Sequence, residues 1–324
     1  MSVMPADAGP SICFAHASYR LAEEFTSRGA PYPFREVRTP EQLDDVISEA
    51  EILCISGLWR PELLSKAGRL RLIQATSAGV DQFDARALAS KGIRLCSARG
   101  VNAPSVAQHA MALMLAIVRQ LPQARDRQAQ EAWRGMISDR ALREGELDGK
   151  TLLIVGYGTI GRRIATLARA FGMEVIAVGR SAVGAPDDVK IVRPAELPEA
   201  LASADMVCLT CSLNESTRGL FDRRMLSHMK PAAWLLNLSR GAVVVEADLI
   251  EALRSENIAG AALDCFETEP LPSTSPFWTM PNVIVTPHTG GETNQMERRF
   301  IDLLLENIAR LDAGRELLNE ISEH

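Results

Sequence analysis

Three side chains that could bind an anionic substrate and transfer a proton follow separate apolar stretches of the sequence. Arg240 follows WLLNLS, Glu269 closes DCFETE, and His288 follows VIVTP. A guanidinium binds a carboxylate through two hydrogen bonds, and an imidazole exchanges protons near neutral pH. A carboxylate beside the imidazole would orient it and favour its charged form. Taken singly, Arg240 could equally be a surface cation, Glu269 a solvated loop acid and His288 a capping residue.

Their common placement favours the chemical interpretation. Each of the three comes after a stretch that predicts a buried β-strand. The carboxyl ends of parallel strands meet at one edge of a sheet, and open α/β sheets bind their ligands there. We therefore expect Arg240, Glu269 and His288 to lie close together.

Short β-branched stretches alternate with amphipathic ones along most of the chain, which is typical of α/β proteins with parallel sheets. The pattern indicates two domains, one near residues 104–291 and one made of residues 1–103 plus 292–324. Periodicity alone leaves open whether the final predicted helix, residues 296–311, packs on the first domain. The predicted strands are residues 12–15, 34–38, 52–56, 72–76 and 93–96, then 152–155, 175–178, 207–210, 234–238, 261–263 and 283–286.

A glycine-rich turn follows the strand predicted at residues 152–155. Gly156, Gly158 and Gly161 match G-x-G-x-x-G, which is a weak motif unless it joins a strand to a helix, as it does here. The first glycine permits the tight turn, the second a close approach of the pyrophosphate, and the third close packing of helix and strand. The backbone N–H groups near Thr159 and Ile160 would open the helix and face the phosphates. The turn predicts dinucleotide binding.

The end of the next predicted strand indicates which dinucleotide. An acid there usually binds the ribose 2′-hydroxyl, but this chain has Gly179, Arg180 and Ser181. Arg180 could donate two hydrogen bonds to a 2′-phosphate and Ser181 one, so NADP is favoured over NAD. The alternative is that Arg180 is a solvated surface residue.

Composition argues against several classes of protein. The net charge of −6 offers no broad basic surface for nucleic acid. The longest apolar stretch, residues 110–118, is far shorter than the ~20 residues of a membrane-spanning helix, and the first ten residues lack signal-peptide features. Six cysteines without a disulfide spacing predict a cytoplasmic protein. Cys208 and Cys211 form C-x-x-C within an apolar stretch, and we interpret them as ordinary core residues and expect no metal site.

The motifs together resemble the D-isomer-specific 2-hydroxyacid dehydrogenase family, in particular its glyoxylate and hydroxypyruvate reductases. The resemblance covers nearly the whole chain and rests most strongly on GYGTIG (156–161), NLSRG (237–241), LDCFETEP (263–270) and PH (287–288). It implies that Arg240, Glu269 and His288 form the catalytic set. It also implies two Rossmann-like or flavodoxin-like domains with a cleft between them, and a homodimer.

The resemblance assigns further binding residues. Asp264 would lie on the carboxamide side of the nicotinamide, and the backbone near Cys211 and Leu238 would pass along the cofactor. In the other domain, the N–H groups of Ala78 and Gly79 would bind the substrate carboxylate.

Trp59 stands where the family's substrate pocket begins. It could line that pocket or pack against a neighbouring side chain, and the sequence does not decide between the two.

The implied reaction is reduction of a small 2-oxo acid to the D-2-hydroxy acid, with hydride from the nicotinamide and a proton from His288. Arg240 would hold the substrate carboxylate and polarise the carbonyl. Formate dehydrogenase is a related alternative, but such relatives carry glutamine where this chain has Glu269. A nucleotide-sensing protein like the corepressors built on the same fold is the alternative from another class.

Overall fold

The computed structural model describes residues 9–179 and 186–321. The chain divides into two compact units. The first unit comprises Met1–Asn102 and Thr293–His324, and the second comprises Ala103–Glu292. Each unit is built around one parallel sheet.

The first unit begins with alternating short strands and helices. The strands are β1 (Ile12–Ala15), β2 (Phe34–Val37), β3 (Ile52–Ile55), β4 (Leu72–Ala75) and β5 (Arg94–Cys96), and the helices are α1 (Leu21–Ser27), α2 (Pro40–Val46), α3 (Leu63–Lys66) and α4 (Ala85–Ser90). The strand order is β2-β1-β3-β4-β5, with parallel pairing throughout. Because helices cover both faces of a parallel sheet, β1, β3 and β4 are buried along their whole length.

The second unit contains a longer sheet. Its strands are β6 (Thr151–Val155), β7 (Glu174–Val178), β8 (Val189–Val192), β9 (Met206–Leu209), β10 (Trp234–Asn237), β11 (Gly260–Leu263) and β12 (Val283–Val285), and its helices are α5 (Ala103–Val118), α6 (Leu121–Ala129), α7 (Thr159–Ala170), α8 (Leu197–Ser203), α9 (Arg223–Leu226) and α10 (Glu246–Arg254). The order is β12-β11-β10-β9-β6-β7-β8, again parallel. The ends of β6, β9, β10, β11 and β12 therefore lie side by side.

Helix α7 is fixed by a buried contact with α5. Ala107 and Ala110 of α5 share one apolar cluster with Ala165 and Ala168 of α7, and all four are at most 1% exposed. Small side chains let two helix backbones approach closely, so α5 holds α7 against the sheet. This packing holds α7 in position against the sheet, together with the glycine turn that precedes it.

The chain ends in the first unit with α11 (Met296–Asp312). Phe300 and Leu304 are fully buried in the apolar cluster that contains Phe14 of β1. Beside this cluster, Asn307 Nδ2 donates a hydrogen bond of 2.8 Å to Gln74 Oε1, and both side chains are completely buried. The pair satisfies polar groups that would destabilise the core if left alone.

The predicted α/β class with parallel sheets is confirmed, but two elements differ from the expectation. Strand β8 was not predicted because it is an edge strand with two buried end residues and two more exposed residues between them, and it lacks a continuous apolar stretch. Helix α6 was not predicted either. It buries no side chain, so it shows no apolar stripe in the sequence.

Candidate active site

The predicted acid and base form a direct pair. Nδ1 of His288 donates a hydrogen bond of 2.8 Å to Oε2 of Glu269, and Oε1 of Glu269 accepts one of 2.9 Å from the N–H of Phe266. Both side chains are partly open to solvent, at 43% for His288 and 37% for Glu269. Among the described residues, Nε2 of His288 has no hydrogen-bond partner. The imidazole is therefore oriented from one side and free to exchange a proton on the other.

His288 occupies an unusual backbone conformation. Its φ of +54° lies in the left-handed region, which non-glycine residues rarely adopt, and its N–H donates to Thr286 O at 3.0 Å. Such a conformation costs of order 1–3 kcal/mol and persists only where neighbouring contacts determine it.

Those contacts come from Asp264, which is 3% exposed. Its Oδ1 accepts hydrogen bonds from Thr286 Oγ1 (2.6 Å) and the Thr289 N–H (3.0 Å), and its Oδ2 accepts one from the Gly290 N–H (3.0 Å). His109 of α5 lies against the same group, with Nε2 at 3.1 Å from Thr286 Oγ1 and 3.5 Å from Asp264 Oδ1. Asp264 thus fixes both ends of the turn that carries His288.

Sequence reasoning missed His109 and Thr286. His109 is a single polar residue in the mostly apolar helix α5. The sequence does not show which distant residues it contacts, so nothing marked it as part of the site. The contact of Asp264 with the nicotinamide stays a prediction, because its oxygens serve the turn in this structure.

Arg240 follows β10 and is positioned by an asparagine. Asn237 is 1% exposed; its Nδ2 donates to Arg240 O at 3.0 Å, and its Oδ1 accepts from Ser239 N–H and Oγ at 3.1 and 2.8 Å. Arg240 Nη1 in turn donates to Ser239 O at 2.8 Å. The side chain is partly buried beside the strand end.

Gly241 brings the Arg240 turn against the Glu269 turn. A Cβ at Gly241 would lie 1.9 Å from the carbonyl carbon of Phe266 and 2.2 Å from the nitrogen of Glu267. Only glycine permits this backbone approach. The structure therefore brings the turn of Arg240 directly onto the segment that orients His288 through Glu269.

The glycine turn has the geometry that its motif predicts. Gly156 has φ +109°, and a Cβ there would lie 2.5 Å from the nitrogen of Cys211. A Cβ at Gly161 would lie 2.3 Å from Gly156 O, so these two glycines are required by the protein itself. A Cβ at Gly158 would meet no atom within 4 Å, which leaves space for a phosphate at the first turn of α7, formed by Thr159 and Ile160. The turn fits a dinucleotide.

The other predicted cofactor residues are partly described. Cys211 and Leu238 follow β9 and β10, and Leu238 N–H donates to Leu209 O at 3.2 Å, so both lie at the same sheet edge as Gly156. Gly179 directly follows β7, and its N–H donates to Val192 O at 3.1 Å. Arg180 and Ser181 lie outside the described residues.

The predicted substrate residues Ala78 and Gly79 belong to the first unit, in the loop after β4. Ser77 organises that loop: its Oγ donates to Gly79 O at 2.6 Å and also lies 2.8 Å from Ser56 Oγ. Ala78 and Gly79 are both partly exposed.

Trp59 packs against Phe83 with ring centroids 5.3 Å apart, and its side chain is partly buried. This contact supports the alternative that Trp59 packs against a neighbouring side chain. That Trp59 lines the substrate pocket stays a prediction.

A dinucleotide-type glycine turn, with an arginine and a histidine–glutamate pair at the ends of neighbouring strands, defines a nicotinamide-linked oxidoreductase. Residues 111–290 match the family described as D-isomer specific 2-hydroxyacid dehydrogenase, NAD binding domain. The chain belongs to this family. Membership confirms the predicted resemblance and the reaction class, nicotinamide-dependent interconversion of 2-oxo and 2-hydroxy acids.

Individual relatives are similar over most of this chain. Glyoxylate/hydroxypyruvate reductase B of Pectobacterium carotovorum is 36% identical over 78% of this chain and 79% of its own length. D-3-phosphoglycerate dehydrogenase of Methanocaldococcus jannaschii is 33% identical over 88% of this chain, which spans only 54% of that protein. A crystal structure of a D-isomer specific 2-hydroxyacid dehydrogenase family protein from Aeromonas salmonicida has a TM-score of 0.86 and 30% identity, covering 98% of this chain and 99% of that one.

Within the described residues, no helix has both the length and the apolar character needed to cross a membrane.

Proposed function

We propose that this protein reduces a small 2-oxo acid, of the glyoxylate or hydroxypyruvate class, to the D-2-hydroxy acid. The observation that carries the proposal is the 2.8 Å hydrogen bond between His288 and Glu269, which leaves the opposite ring nitrogen free at the strand ends that also carry Arg240. The reaction adds a hydride to C2 and a proton to the carbonyl oxygen. A hydride donor and a proton donor are therefore both needed beside the substrate.

Each catalytic side chain has one task in this scheme. Arg240 binds the substrate carboxylate and polarises the carbonyl, because its guanidinium donates several hydrogen bonds in one plane. His288 donates the proton from Nε2, while Glu269 stabilises the imidazolium and keeps Nδ1 protonated. A bound reduced nicotinamide supplies the hydride.

We propose that both units contribute to binding, with Arg240 of the second unit and a loop of the first unit binding the substrate carboxylate. We assign the dinucleotide to residues 104–291, where Gly156, Gly158 and Gly161 form the phosphate turn. In residues 1–103 plus 292–324, we assign the N–H groups of Ala78 and Gly79 as further donors to the substrate carboxylate.

We propose NADPH rather than NADH as the preferred cofactor. Gly179 stands at the end of β7, where an acid would repel a 2′-phosphate, and Arg180 and Ser181 follow it in the sequence. A ratio of kcat/KM that favours NADH would contradict this preference.

The protein is proposed to act in the cytoplasm as a homodimer. All six cysteines are free thiols, as a reducing compartment favours. Trp133 is 98% exposed and Met136 fully exposed, which is unusual for such residues unless another protein surface covers them.

One set of assays tests the proposed function. A panel of 2-oxo acids is reduced with NADPH and with NADH, and the absorbance of the reduced nicotinamide is followed. We expect His288→Ala to lower kcat by about 10²- to 10⁴-fold, the usual contribution of a general acid. Near-normal kcat in this variant would refute the proton role, and nucleotide binding without turnover of any acid would favour the sensing alternative.

The pH dependence follows from the same role. Reduction requires the charged imidazole and should fall at alkaline pH, whereas oxidation of the 2-hydroxy acid requires the neutral imidazole and should fall at acidic pH. Initial rates measured in both directions across the same pH range check this reciprocity.

A further inference from the structure

A third potential metal ligand lies beside the His288–Glu269 pair. Sγ of Cys265, a carboxylate oxygen of Glu269 and a ring nitrogen of His288 all lie within 4.8 Å of one another. Cys265 follows β11 and is 3% exposed. In the described ranges, this is the one cluster of histidine, cysteine and acidic side chains with such spacing.

We propose that these three residues form a binding site for a thiophilic divalent cation of the Zn²⁺ class, and that its occupation switches the enzyme off. One sulfur, one nitrogen and one oxygen donor suit Zn²⁺, whereas Mg²⁺ and Ca²⁺ prefer oxygen donors alone. Three protein ligands leave the fourth tetrahedral position for water.

The present positions of the donors require only small shifts. With metal–ligand bonds of about 2.0–2.3 Å, tetrahedral donors lie roughly 3.5 Å apart. The imidazole and carboxylate, now 2.8 Å apart, must separate slightly, and both side chains are partly exposed and can move. Among the described residues, the only hydrogen-bond partner of the thiol is Ser239 O at 3.5 Å, a weak contact, so the thiol can turn towards the cation.

The surroundings of Cys265 argue against the alternative of a redox-sensing thiol. Burial raises the pKa of Cys265, and the nearby carboxylates of Asp264 and Glu269 raise it further, against a smaller opposite effect of Arg240. A buried neutral thiol is a poor nucleophile and oxidises slowly.

Occupation of the site would stop proton donation. A cation bound to Nδ1 of His288 replaces the proton that now points to Glu269, and its charge opposes the imidazolium form. The glycine turn at residues 156–161 is untouched, so cofactor binding should persist. This inhibitory effect rests on the proposed role of His288, whereas cation binding itself does not.

Binding is tested with Co²⁺ as a spectroscopic probe of the full chain. We expect one Co²⁺ per chain with tetrahedral visible bands and a thiolate charge-transfer band, both removed by Zn²⁺. Cys265→Ala and the size-conserving Cys265→Ser should lose the charge-transfer band. Cys96→Ala is the matched control, because Cys96 is also a buried thiol near a carboxylate, Glu320, and this variant should keep the band.

Inhibition is tested separately in the reductase assay. Zn²⁺ should lower kcat of the wild type without raising KM for NADPH, and a chelator should restore the rate. The Zn²⁺ concentration for half-inhibition should rise at least about tenfold in Cys265→Ala, which corresponds to a loss of 1.4 kcal/mol of binding. Equal inhibition of both proteins would overturn the proposal.

The outcomes distinguish the two proposals. Loss of turnover in His288→Ala without a Co²⁺–thiolate band in the wild type would overturn the cation site and leave the reductase intact. A Cys265-dependent band together with normal turnover in His288→Ala would support the cation site and overturn the proton role.

Discussion

At the scale of single residues, the site depends on side chains that hold the catalytic ones. His288 has a left-handed backbone conformation because Asp264 accepts hydrogen bonds from the residues on both sides of it. The imidazole is then oriented by Glu269, whose other oxygen is fixed by a backbone N–H. The proposed proton transfer would thus depend on two carboxylates, Asp264 for the backbone of His288 and Glu269 for its ring.

Glu269→Gln should lower kcat for reduction at least about tenfold. The Phe266 N–H needs an acceptor, so the amide oxygen would stay on that side and the amide N–H₂ would face Nδ1 of His288. An N–H₂ group there disfavours the imidazolium.

The control for this change is Glu267→Gln, since the Glu267 side chain lies nearby but is exposed. A Glu269→Gln enzyme whose rate matches that of this control would show that the 2.8 Å hydrogen bond has no role in the reaction.

At the scale of elements, the order of the strands decides which turns become neighbours. The β6–α7 turn and the turns after β10, β11 and β12 share one edge because these strands are parallel and lie near one another in the sheet. Within that edge, glycines are required for two different reasons. Gly156, Gly161 and Gly241 make room for the protein's own backbone, whereas Gly158 leaves room for a phosphate of the proposed cofactor.

Gly158→Ala and Gly161→Ala should separate these reasons. The Cβ of Gly158→Ala meets no protein atom, so we expect unchanged stability but an increase of about tenfold or more in KM for NADPH, equivalent to 1.4 kcal/mol of binding. The Cβ of Gly161→Ala would lie 2.3 Å from Gly156 O and should lower the unfolding free energy by about 1–3 kcal/mol. Denaturant unfolding and cofactor kinetics on both variants measure the two effects. Normal cofactor binding by Gly158→Ala would mean that no phosphate approaches this turn.

Another element-scale feature is the anchoring of the C-terminal segment to β5. Glu320 accepts hydrogen bonds of 2.6 and 2.5 Å from Arg94, and Ile321 N–H donates to Leu95 O at 2.8 Å. The hydrogen bond to Arg94 lowers the pKa of Glu320, against the opposing effect of partial burial. A lowered carboxyl pKa contributes stability above the unfolded-state pKa, and this contribution is lost as the pH falls through the folded-state value.

Glu320→Gln should therefore lower the unfolding free energy by about 1 kcal/mol at neutral pH, and the difference from wild type should disappear in acid. Denaturant unfolding at both pH values is the measurement. Glu316→Gln, an exposed acid in the same segment, serves as the control. A difference that persists unchanged in acid would contradict the ion-pair explanation.

At the scale of the whole molecule, the exposed segment of residues 121–142 is a candidate surface for the proposed homodimer. Helix α6 buries no side chain, and Leu121, Trp133, Met136 and Leu142 are all more than half exposed. The segment is nevertheless ordered by polar contacts, since Arg143 Nε donates to Ile137 O at 2.8 Å and Arg134 pairs with Glu144. Ordered backbone that presents large apolar side chains is typical of a surface covered by a partner.

Trp133→Ser should accordingly shift the protein from dimer towards monomer in light scattering at micromolar concentration. Trp278→Ser is the matched control, because Trp278 is 52% exposed but already donates a hydrogen bond to Pro272 O at 2.9 Å. If the wild type is monomeric, or if both variants dissociate equally, the segment is not the association surface.

Features that adjacent residues encode can be predicted from the sequence alone. Alternating apolar stretches specify strands and helices locally, and Gly156, Gly158 and Gly161 specify a turn whose chemistry lies in its own backbone. The types of Arg240, Glu269 and His288 fixed what chemistry was possible. These features depend on neighbours along the chain, so one sequence suffices to predict them.

Contacts between residues that are distant in sequence become visible only in the folded chain. Gly241 is required because the backbone of Phe266 lies against it, His109 reaches Thr286 and Asp264 across 177 and 155 positions of chain, and Cys265 lies beside His288. Edge strand β8 likewise depends on its partner β7 rather than on its own pattern. Such contacts are set by strand order and close packing, which join residues without regard to their separation in sequence.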